Sequence, residues 1–145
     1  MVMEFFPSPL THAESEAFFR HLLDHFAEHG FGYWAVEVEG KFAGITGLSS
    51  TSLETKLGSH IEIGWRLLPW AWGKGIASTA AREVLQRAHS DFGIKDVYSY
   101  TTETNFRSEN VMKNIGMTRR HDLDFDHPRT PGWWGQRHIV YHIQL

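Results

Sequence analysis

The sequence contains no cysteine among its 145 residues. This absence excludes disulfide bridges, thiolate metal sites and any reaction that proceeds through a cysteine acyl-enzyme. The N-terminal region does not join basic residues to an apolar run, and no apolar stretch is long enough to span a bilayer. We therefore expect a soluble cytoplasmic protein that has no signal peptide and no membrane partner.

Positive charge is not in excess either. There are 14 Lys and Arg residues against 17 Asp and Glu residues, for a net charge of −3. Broad nucleic-acid binding needs a basic surface, so we expect no nucleic-acid partner. Aromatic residues are abundant, with 10 Phe and 6 Trp, and they indicate a core or cleft of large flat surfaces. The length predicts one domain over residues 1–145.

The stretch from His60 to Ala88 predicts a strand, a tight turn and a helix. Alternation along the strand places Ile61, Ile63 and Trp65 on one face and His60, Glu62, Gly64 and Arg66 on the other. Pro69 removes a backbone donor and ends the strand. The helix carries small and aliphatic residues at helical spacing, namely Ala77, Ala80, Ala81, Val84, Leu85 and Ala88.

The turn between this strand and this helix has the features of a phosphate site. Gly73 and Gly75 allow positive φ angles and a close approach of the backbone to a ligand. The first N–H groups of the helix point outward at the positive end of its dipole, where phosphate binds. Lys74 lies inside the turn and can meet an anionic oxygen. Many glycine turns of this kind bind nothing, so a purely structural role also stays open.

The remaining patterns predict a helix, three strands, a helix, a strand, a helix and two strands. The predicted ranges are a helix between Thr11 and Gly30, strands over 33–39, 42–49 and 60–68, a loop over 50–59, a strand over 96–102, a helix from Asn105 to Gly116, a strand over 117–123, a loop over 124–136 and a strand over 137–145. This order indicates a mixed α/β layer fold, antiparallel at first and with crossover helices later.

The motif Trp70-Ala71-Trp72-Gly73-Lys74-Gly75 resembles motif A of the GNAT acetyltransferases, whose pattern is Gln/Arg-x-x-Gly-x-Gly/Ala. The letters EIGWRL, WGKGIA and AA are similar to the RimJ/RimL-like branch, and the resemblance continues through TNFRSENVMKNIGM and the final strand. It implies an α/β fold of the α+β type, in which a mixed, mostly antiparallel sheet has flanking helices. The sheet is expected to splay between strands 60–68 and 96–102.

The resemblance implies an N-acetyltransferase that moves an acetyl group from acetyl-CoA to a primary amine, in a small molecule or at a protein N-terminus, by direct transfer in a ternary complex. It assigns cofactor contacts to Leu67, Leu68, Trp72, Gly73, Lys74, Gly75, Ile76, Ala77, Asn105 and Lys113. The turn over 72–77 is expected to hold the pyrophosphate of coenzyme A. The N–H near Leu67 is expected to serve the thioester oxygen, and Trp70 lacks the phosphate contact that Gln or Arg makes.

Two residues are the candidates for proton transfer. Glu62 is the candidate base, directly or through a water, although it could also be a solvent-facing carboxylate paired with Arg66. In many family members a Tyr seven residues after the Asn acts as the acid, but here that position is Met112. In the RimJ/RimL-like branch the Ser of Asn-x-x-Ser takes this role, which points to Ser108. Both Ser108 and Asn105 could instead simply satisfy backbone N–H groups at the start of a helix.

Family members usually begin with a strand and a helix ahead of the segment that residues 4–11 resemble. The first strand and most of the first helix are therefore expected to be absent, which leaves strand 33–39 as an unpaired edge. We expect residues 1–6 or a second subunit to cover this edge, the latter giving a homodimer. The shortened start and the missing Tyr keep an alternative open, a non-catalytic acyl-CoA-binding or protein-interaction module.

The 10 histidines raise the question of a metal. Asp122, Asp124, Asp126 and His127 cluster in the sequence, but no spacing matches a zinc pattern such as HExxH, so we predict no metal site. The run Asp126-His127-Pro128-Arg129 resembles a recurring element of the branch, in the loop that borders the acceptor site. A nucleotide-binding α/β domain is disfavoured because there is no Walker lysine pattern.

Overall fold

A mixed sheet of seven strands forms the frame of the structure, a computed structural model that describes residue 4 and residues 7–145. The elements in chain order are α1 (His12–His29), β1 (Tyr33–Val38), β2 (Lys41–Leu53), β3 (Gly58–Leu67), α2 (Ile76–Phe92), β4 (Asp96–Thr102), α3 (Phe106–Asn114), β5 (Thr118–Arg119), β6 (Phe125–Asp126) and β7 (Arg137–Gln144). The strand order is β1-β2-β3-β4-β7-β5, and β6 pairs with β7. This arrangement confirms the predicted fold class.

Helix α1 begins and ends where its capping signals predict. The Thr11 hydroxyl accepts a hydrogen bond from the N–H of Glu14 at 3.2 Å, and the Glu14 carboxylate accepts from the N–H of Thr11 at 2.8 Å. Gly30 ends the helix at φ 76°. The apolar stripe of the helix is only partly covered, because Phe19 and Leu23 stay 59% and 54% exposed.

The first two strands form a tight hairpin. Val38 pairs with Lys41, and the two turn residues Glu39 and Gly40 have φ angles of 52° and 76°. Positive φ at both positions matches the right-handed twist of a two-residue hairpin. Strand β2 then runs on to Leu53, so the loop predicted over 50–59 was wrong. The chain turns only over residues 54–57.

The reason for this error is the polar character of the strand end. Ser50, Thr51 and Ser52 pair with β3 in regular antiparallel register, and Thr51 lines a cleft rather than the core. Such positions do not show the hydrophobic alternation that predicts a half-buried strand. The backbone ladder therefore forms without a hydrophobic pattern to mark it.

Strands β3 and β4 are the parallel neighbours, and within the described residues they pair at a single position. Glu62 lies opposite Tyr98, and the Ser99 hydroxyl donates to the carbonyl of Ile63 at 3.0 Å. Beyond this point each strand keeps only its antiparallel partner on the other side. The sheet therefore opens between β3 and β4, as the predicted splay between 60–68 and 96–102 requires.

The core lies between the sheet and helices α2 and α3. Its buried members include Leu48, Ile63, Ala81, Val84, Leu85, Ala88, Val97, Met112 and Tyr141. Helix α2 buries Ala81, Val84, Leu85 and Ala88 at the predicted spacing, and Gly93 closes it at φ 63°. Burial of these aliphatic side chains holds both helices against the sheet, at about 25 cal/mol for each Å² of apolar surface.

The region after α3 differs from the prediction of a strand over 117–123. Only Thr118 and Arg119 form a strand, and residues His121–Leu123 form a 3-10 turn. An ion pair between Arg119 and Asp124 spans this turn, and the Asp124 carboxylate also accepts from the N–H of Val140 at 3.2 Å. The loop predicted over 124–136 contains the short strand β6, which pairs with the start of β7.

Among the described residues, strand β1 is the outer edge of the sheet. The prediction that residues 1–6 cover this edge depends mostly on residues 1–3, 5 and 6, which lie outside the described part of the chain. None of the described helices combines the length and the apolar character needed to cross a membrane.

Candidate active site

A cleft of about 650 Å³ opens where β3 and β4 separate. The start of α2 and the start of α3 both reach it, because each helix follows one of the two diverging strands. Of the sequence-predicted site residues, the cleft brings together Glu62, Leu67, Trp72, Gly73, Gly75, Ile76, Ala77, Asn105 and Ser108. Residues from distant parts of the sequence therefore share one cavity.

The turn before α2 forms one wall of the cleft from backbone alone. Gly73 and Gly75 have φ angles of 70° and 74°, and a Cβ atom at either position would have no neighbour within 4 Å. Gly75 is the N-cap and provides no side-chain cap. Within the described part of the chain, the N–H groups of residues 73–78 donate to no protein acceptor. Together with the helix dipole, they form a site for an anion.

The end of β3 directs one backbone N–H toward the cleft. The N–H of Leu68 donates to the carbonyl of Ala43 in β2 at 2.8 Å. Because successive N–H groups along an extended chain point to opposite sides, the N–H of Leu67 points to the opening between β3 and β4. The indole N–H of Trp72 donates to the Leu67 carbonyl at 2.9 Å and holds this end of the strand in place.

Glu62 lines the cleft and is half-buried there. Its Oε2 accepts a hydrogen bond from the Tyr100 hydroxyl at 2.9 Å. Burial raises the pKa of Glu62 to about 7, although the Tyr100 hydrogen bond and the charge of Arg129 oppose the increase. A carboxyl group with this pKa exchanges protons in the neutral range, which suits a general base.

The start of α3 contributes Asn105 and Ser108. The Asn105 side-chain oxygen accepts from the N–H of Ser108 at 3.2 Å, and its amide donates to the Thr101 hydroxyl at 3.0 Å. Asn105 is therefore the helix N-cap, and it lines the cleft at the same time. Ser108 also lines the cleft, in the first turn of α3.

Three predicted site residues lie outside the lining of this cleft. The Lys74 ammonium lies 5.6 Å from the centroid of the Trp70 ring, and the Lys113 ammonium pairs with Glu109 at 3.5 Å. Leu68 lines a separate small pocket together with Phe42 and Gly44. The spacing of the motif did not reveal these orientations.

The structure also adds residues that sequence analysis missed. Arg107 lines the cleft and stacks its guanidinium 3.8 Å from the centroid of the Trp72 ring. Tyr33 places its hydroxyl where a side chain at Gly64 would lie, so only glycine fits there. Tyr100 could have been found from the alternation in β4, which puts it on the same face as Tyr98, the partner of Glu62.

His127 and Arg129 belong to the loop between β6 and β7 and line the cleft near Glu62. Burial, with the charges of His138 and Arg129, lowers the pKa of His127 to about 4, so this imidazole is neutral at neutral pH. Within the described residues, no three or more His, Cys, Asp or Glu side chains are arranged to hold a metal ion. Asp122 pairs with Arg120 at 2.8 Å, and Asp124 pairs with Arg119.

The family model described as "Acetyltransferase (GNAT) domain" matches residues 1–118. Among curated proteins, the chain is similar to the FsC-acetyl coenzyme A-N(2)-transacetylase of Aspergillus fumigatus, with 33% identity over 93 residues. This alignment covers 61% of the chain and 40% of that relative. The chain spans less than half the length of the curated relatives that it matches.

Solved structures share the fold. The acetyltransferase from Agrobacterium tumefaciens superposes with a TM-score of 0.77 at 22% identity, covering 99% of this chain and 78% of that one. The ribosomal-protein-alanine N-acetyltransferase from Brucella melitensis superposes with a TM-score of 0.76 at 16% identity, covering 99% of this chain and 87% of that one. These superpositions show that the chain shares its fold with solved acetyltransferase structures.

Proposed function

Because the chain belongs to the GNAT family of acetyltransferase domains, we propose that it is an N-acetyltransferase that transfers an acetyl group from acetyl-CoA to a primary amine within a ternary complex. One observation carries this proposal. A carboxyl group with a pKa of about 7, Glu62, shares a single cleft with the uncapped N-terminus of α2. A base and an anion site in one cavity are what the reaction needs.

The residues of the cleft fit coenzyme A. The N–H groups of residues 73–78 lack protein partners among the described residues, and open space surrounds Gly73 and Gly75. We assign the pyrophosphate to these groups, with the Arg107 guanidinium, which also pairs with Glu4 at 3.3 Å, on the same wall. The relative from Aspergillus fumigatus is named for acetyl coenzyme A, which supports the same cofactor. Acetyl-CoA, when bound, supplies the thioester that donates the acetyl group.

The chain's own groups then have distinct tasks. The N–H of Leu67 faces the opening of the sheet and is positioned to stabilise negative charge on the thioester oxygen. Glu62 takes a proton from the acceptor ammonium, so that the amine becomes nucleophilic. Ser108, at the start of α3, donates a proton to the leaving sulfur. Asn105 orients this turn of the helix and offers its amide to the cofactor arm.

The acceptor is a primary amine of a small molecule or of a protein N-terminus. We place the chain in the RimJ/RimL-like branch, on the motif letters of β3 and α2 and on its likeness to the ribosomal-protein-alanine N-acetyltransferase. For a member of this branch we expect a cytoplasmic location and no nucleic-acid or membrane partner. The edge position of β1 supports a homodimer in which strands over 33–39 of two subunits pair.

Calorimetric titration with acetyl-CoA tests this proposal first, with free CoA and ATP as control ligands. We expect saturable binding of acetyl-CoA and CoA but not of ATP, and loss of binding in Gly75→Trp. Gly93→Trp is the matched control, since Gly93 also has positive φ with open space around it but lies at the other end of α2. A folded protein that binds no acetyl-CoA contradicts the proposed function.

Turnover separates the enzyme from a non-catalytic binding module. An amine screen with acetyl-CoA should yield at least one acetylated acceptor. A protein that binds acetyl-CoA in the cleft, yet acetylates no amine, would support the module instead.

A further inference from the structure

Glu62 is the first member of a chain of hydrogen bonds that leaves the cleft. Its Oε2 lies 2.9 Å from the Tyr100 hydroxyl, and that hydroxyl lies 3.2 Å from Nε2 of His60. On the far side of the imidazole, Nδ1 of His60 lies 2.9 Å from the carbonyl oxygen of Gly58. Glu62 and Tyr100 line the cleft, whereas His60 is outside its lining and retains 9% exposure.

The number of hydrogens available limits the directions of the hydrogen bonds between Glu62, Tyr100 and His60. The carbonyl of Gly58 only accepts hydrogen bonds, so Nδ1 of His60 carries a hydrogen. In a neutral imidazole Nε2 is then an acceptor, and Tyr100 has only one hydroxyl proton to give. If both contacts of the Tyr100 hydroxyl are hydrogen bonds, Tyr100 donates to His60 only when Glu62 is protonated and donates to the Tyr100 oxygen. Alternatively, Tyr100 donates to ionised Glu62, and a protonated His60 donates to Tyr100.

These two fully bonded states contain the same number of protons. They differ in the position of one proton: in the first state all three side chains are neutral, and in the second Glu62 is a carboxylate and His60 is an imidazolium. Moving between them requires the carboxyl proton of Glu62 to pass to the Tyr100 oxygen while the hydroxyl proton of Tyr100 passes to Nε2 of His60. No atom other than hydrogen has to move, and Tyr100 ends with the proton count it began with.

We propose that Tyr100 and His60 form a proton relay that regenerates Glu62 as the base of the acetyl transfer. The proposal rests on the proposed function. An ammonium proton of the acceptor passes to Glu62, the proton of Glu62 passes to Tyr100, and the hydroxyl proton of Tyr100 passes to His60. His60 holds this proton, with Nε2 donating to Tyr100 and Nδ1 donating to the Gly58 carbonyl, so the carboxylate is restored while the cleft is still closed. After the acetylated product leaves, the proton returns through Tyr100 to Glu62 and passes from there to water.

The surroundings favour transfer through Tyr100 rather than its ionisation. Burial raises the pKa of Tyr100, and the carboxylate of Glu62 raises it further, so the phenol stays neutral. Burial lowers the pKa of His60, which makes the imidazole a transient holder of the proton. The other titratable and charged groups that face the relay from neighbouring elements are Tyr33, Arg66, Tyr98, His127, Arg129 and His138.

A titration of the wild-type protein by NMR tests the relay without cofactor or acceptor. The side-chain carboxyl carbon of Glu62 and the Cε1–H of His60 are followed as the pH changes. We expect both signals to follow the same macroscopic titration steps, because the protons of two coupled sites come off in steps that belong to the pair. Independent single-step curves for the two residues would overturn the proposal, and this measurement requires no variant to fold.

Tyr100→Phe removes the link, and Tyr98→Phe is the matched control. The Tyr98 ring also packs against His60, with centroids 5.9 Å apart, and in β4 it lies on the same face. In Tyr100→Phe we expect Glu62 and His60 to titrate separately, whereas Tyr98→Phe should preserve the shared step. If Tyr100→Phe left the shared step intact, the relay would not run through Tyr100.

Kinetics with an acceptor from the amine screen provide the last readout. His60→Gln should lower kcat about tenfold or more, with acetyl-CoA affinity retained and the acidic limb of the pH profile unmoved. Tyr100→Phe should lower kcat and also move that limb to higher pH, because Tyr100 lowers the pKa of Glu62 by its hydrogen bond. If His60→Gln kept the wild-type kcat, the relay would be overturned. If the wild-type protein bound no acetyl-CoA at all, the proposed function would be contradicted instead.

Discussion

The two ends of the cleft are built from different materials. At the start of α2 the wall is backbone, made of the N–H groups of residues 73–78 with Gly73 and Gly75 at positive φ. At the opening between β3 and β4 the wall is made of titratable side chains, with Glu62 bonded to Tyr100. The first end offers fixed partial charge, and the second offers a charge that changes with protonation.

This difference indicates how each end tolerates change. An anion site made of backbone N–H groups depends on chain geometry. It is lost when a new side chain fills the space around a glycine, but it survives when a neighbouring side chain is replaced. A side-chain site depends on individual atoms, so one isosteric substitution can remove its chemistry and leave its shape. Binding and turnover should therefore respond to different sets of mutations.

The largest expected effect comes from Glu62→Gln. The amide keeps the shape of the side chain but cannot accept a proton, so kcat should fall by about 10²–10⁴-fold. Acetyl-CoA affinity, measured by calorimetry, should stay within about twofold, because the cofactor is held at the other end of the cleft.

Glu109→Gln provides the matched control for this substitution. Glu109 is also a partly buried carboxylate that accepts a tyrosine hydroxyl, from Tyr141 at 2.8 Å, but it lies outside the cleft lining. We expect kcat to be nearly unchanged. If kcat fell equally in both variants, the effect of Glu62→Gln would be structural. The side-chain end of the cleft would then have no chemical role distinct from that of the backbone end.

The raised pKa of Glu62 also predicts a dependence of stability on pH. The pKa is about 7 in the folded protein against 4.5 for the reference side chain, so the folded state binds the proton more tightly. This contribution to stability is complete below pH 4.5 and is lost as the pH rises through 7. Relative to Glu62→Gln, the wild type should lose about 3 kcal/mol of unfolding free energy between pH 4 and pH 8.

Urea unfolding of both proteins across this range measures the difference. In the same window the kcat/KM of the wild type should rise with pH through about 7, because only ionised Glu62 accepts a proton. A difference in unfolding free energy that stays constant with pH would mean that the carboxyl group titrates normally and is not held by its surroundings.

The backbone end of the cleft was accessible from sequence because its signals are local. Gly73, Gly75 and the start of α2 lie within a few residues of one another, and so do the capping residues Thr11 and Asn105. Such features follow from the φ preferences and hydrogen bonds of neighbouring residues. The alternation of β3 likewise predicted the face on which Glu62 lies.

The side-chain end could not be predicted in the same way, because its partners come from distant parts of the chain. Tyr100 is 38 residues from Glu62 and 40 from His60 in sequence, and only the parallel pairing of β3 with β4 brings them together. The end of β2 was missed for a related reason. Residues 50–52 of this strand are all polar and Thr51 lines the cleft, so no hydrophobic alternation marks the strand.

A third prediction compares two helix caps, one at the cleft and one remote from it. Asn105→Ala and Thr11→Ala each remove a side chain that accepts a backbone N–H, so each should cost about 1 kcal/mol of unfolding free energy. Only Asn105→Ala should also weaken acetyl-CoA binding, because only Asn105 lines the cleft. Thermal unfolding and calorimetry on both variants measure the two quantities, and equal affinities would assign Asn105 a purely structural role.

The smallest expected effects concern the two lysines of the motif region. Lys74 lies over the Trp70 ring and Lys113 pairs with Glu109, and neither lines the cleft. Exposed charges of this kind contribute about 0–1 kcal/mol, so Lys74→Ala and Lys113→Ala should each change the acetyl-CoA Kd by about fivefold at most. Calorimetry at low and high salt measures this change and its screening. A loss of binding as complete as that expected for Gly75→Trp would show that a side-chain cation, and not the backbone of residues 73–78, holds the cofactor.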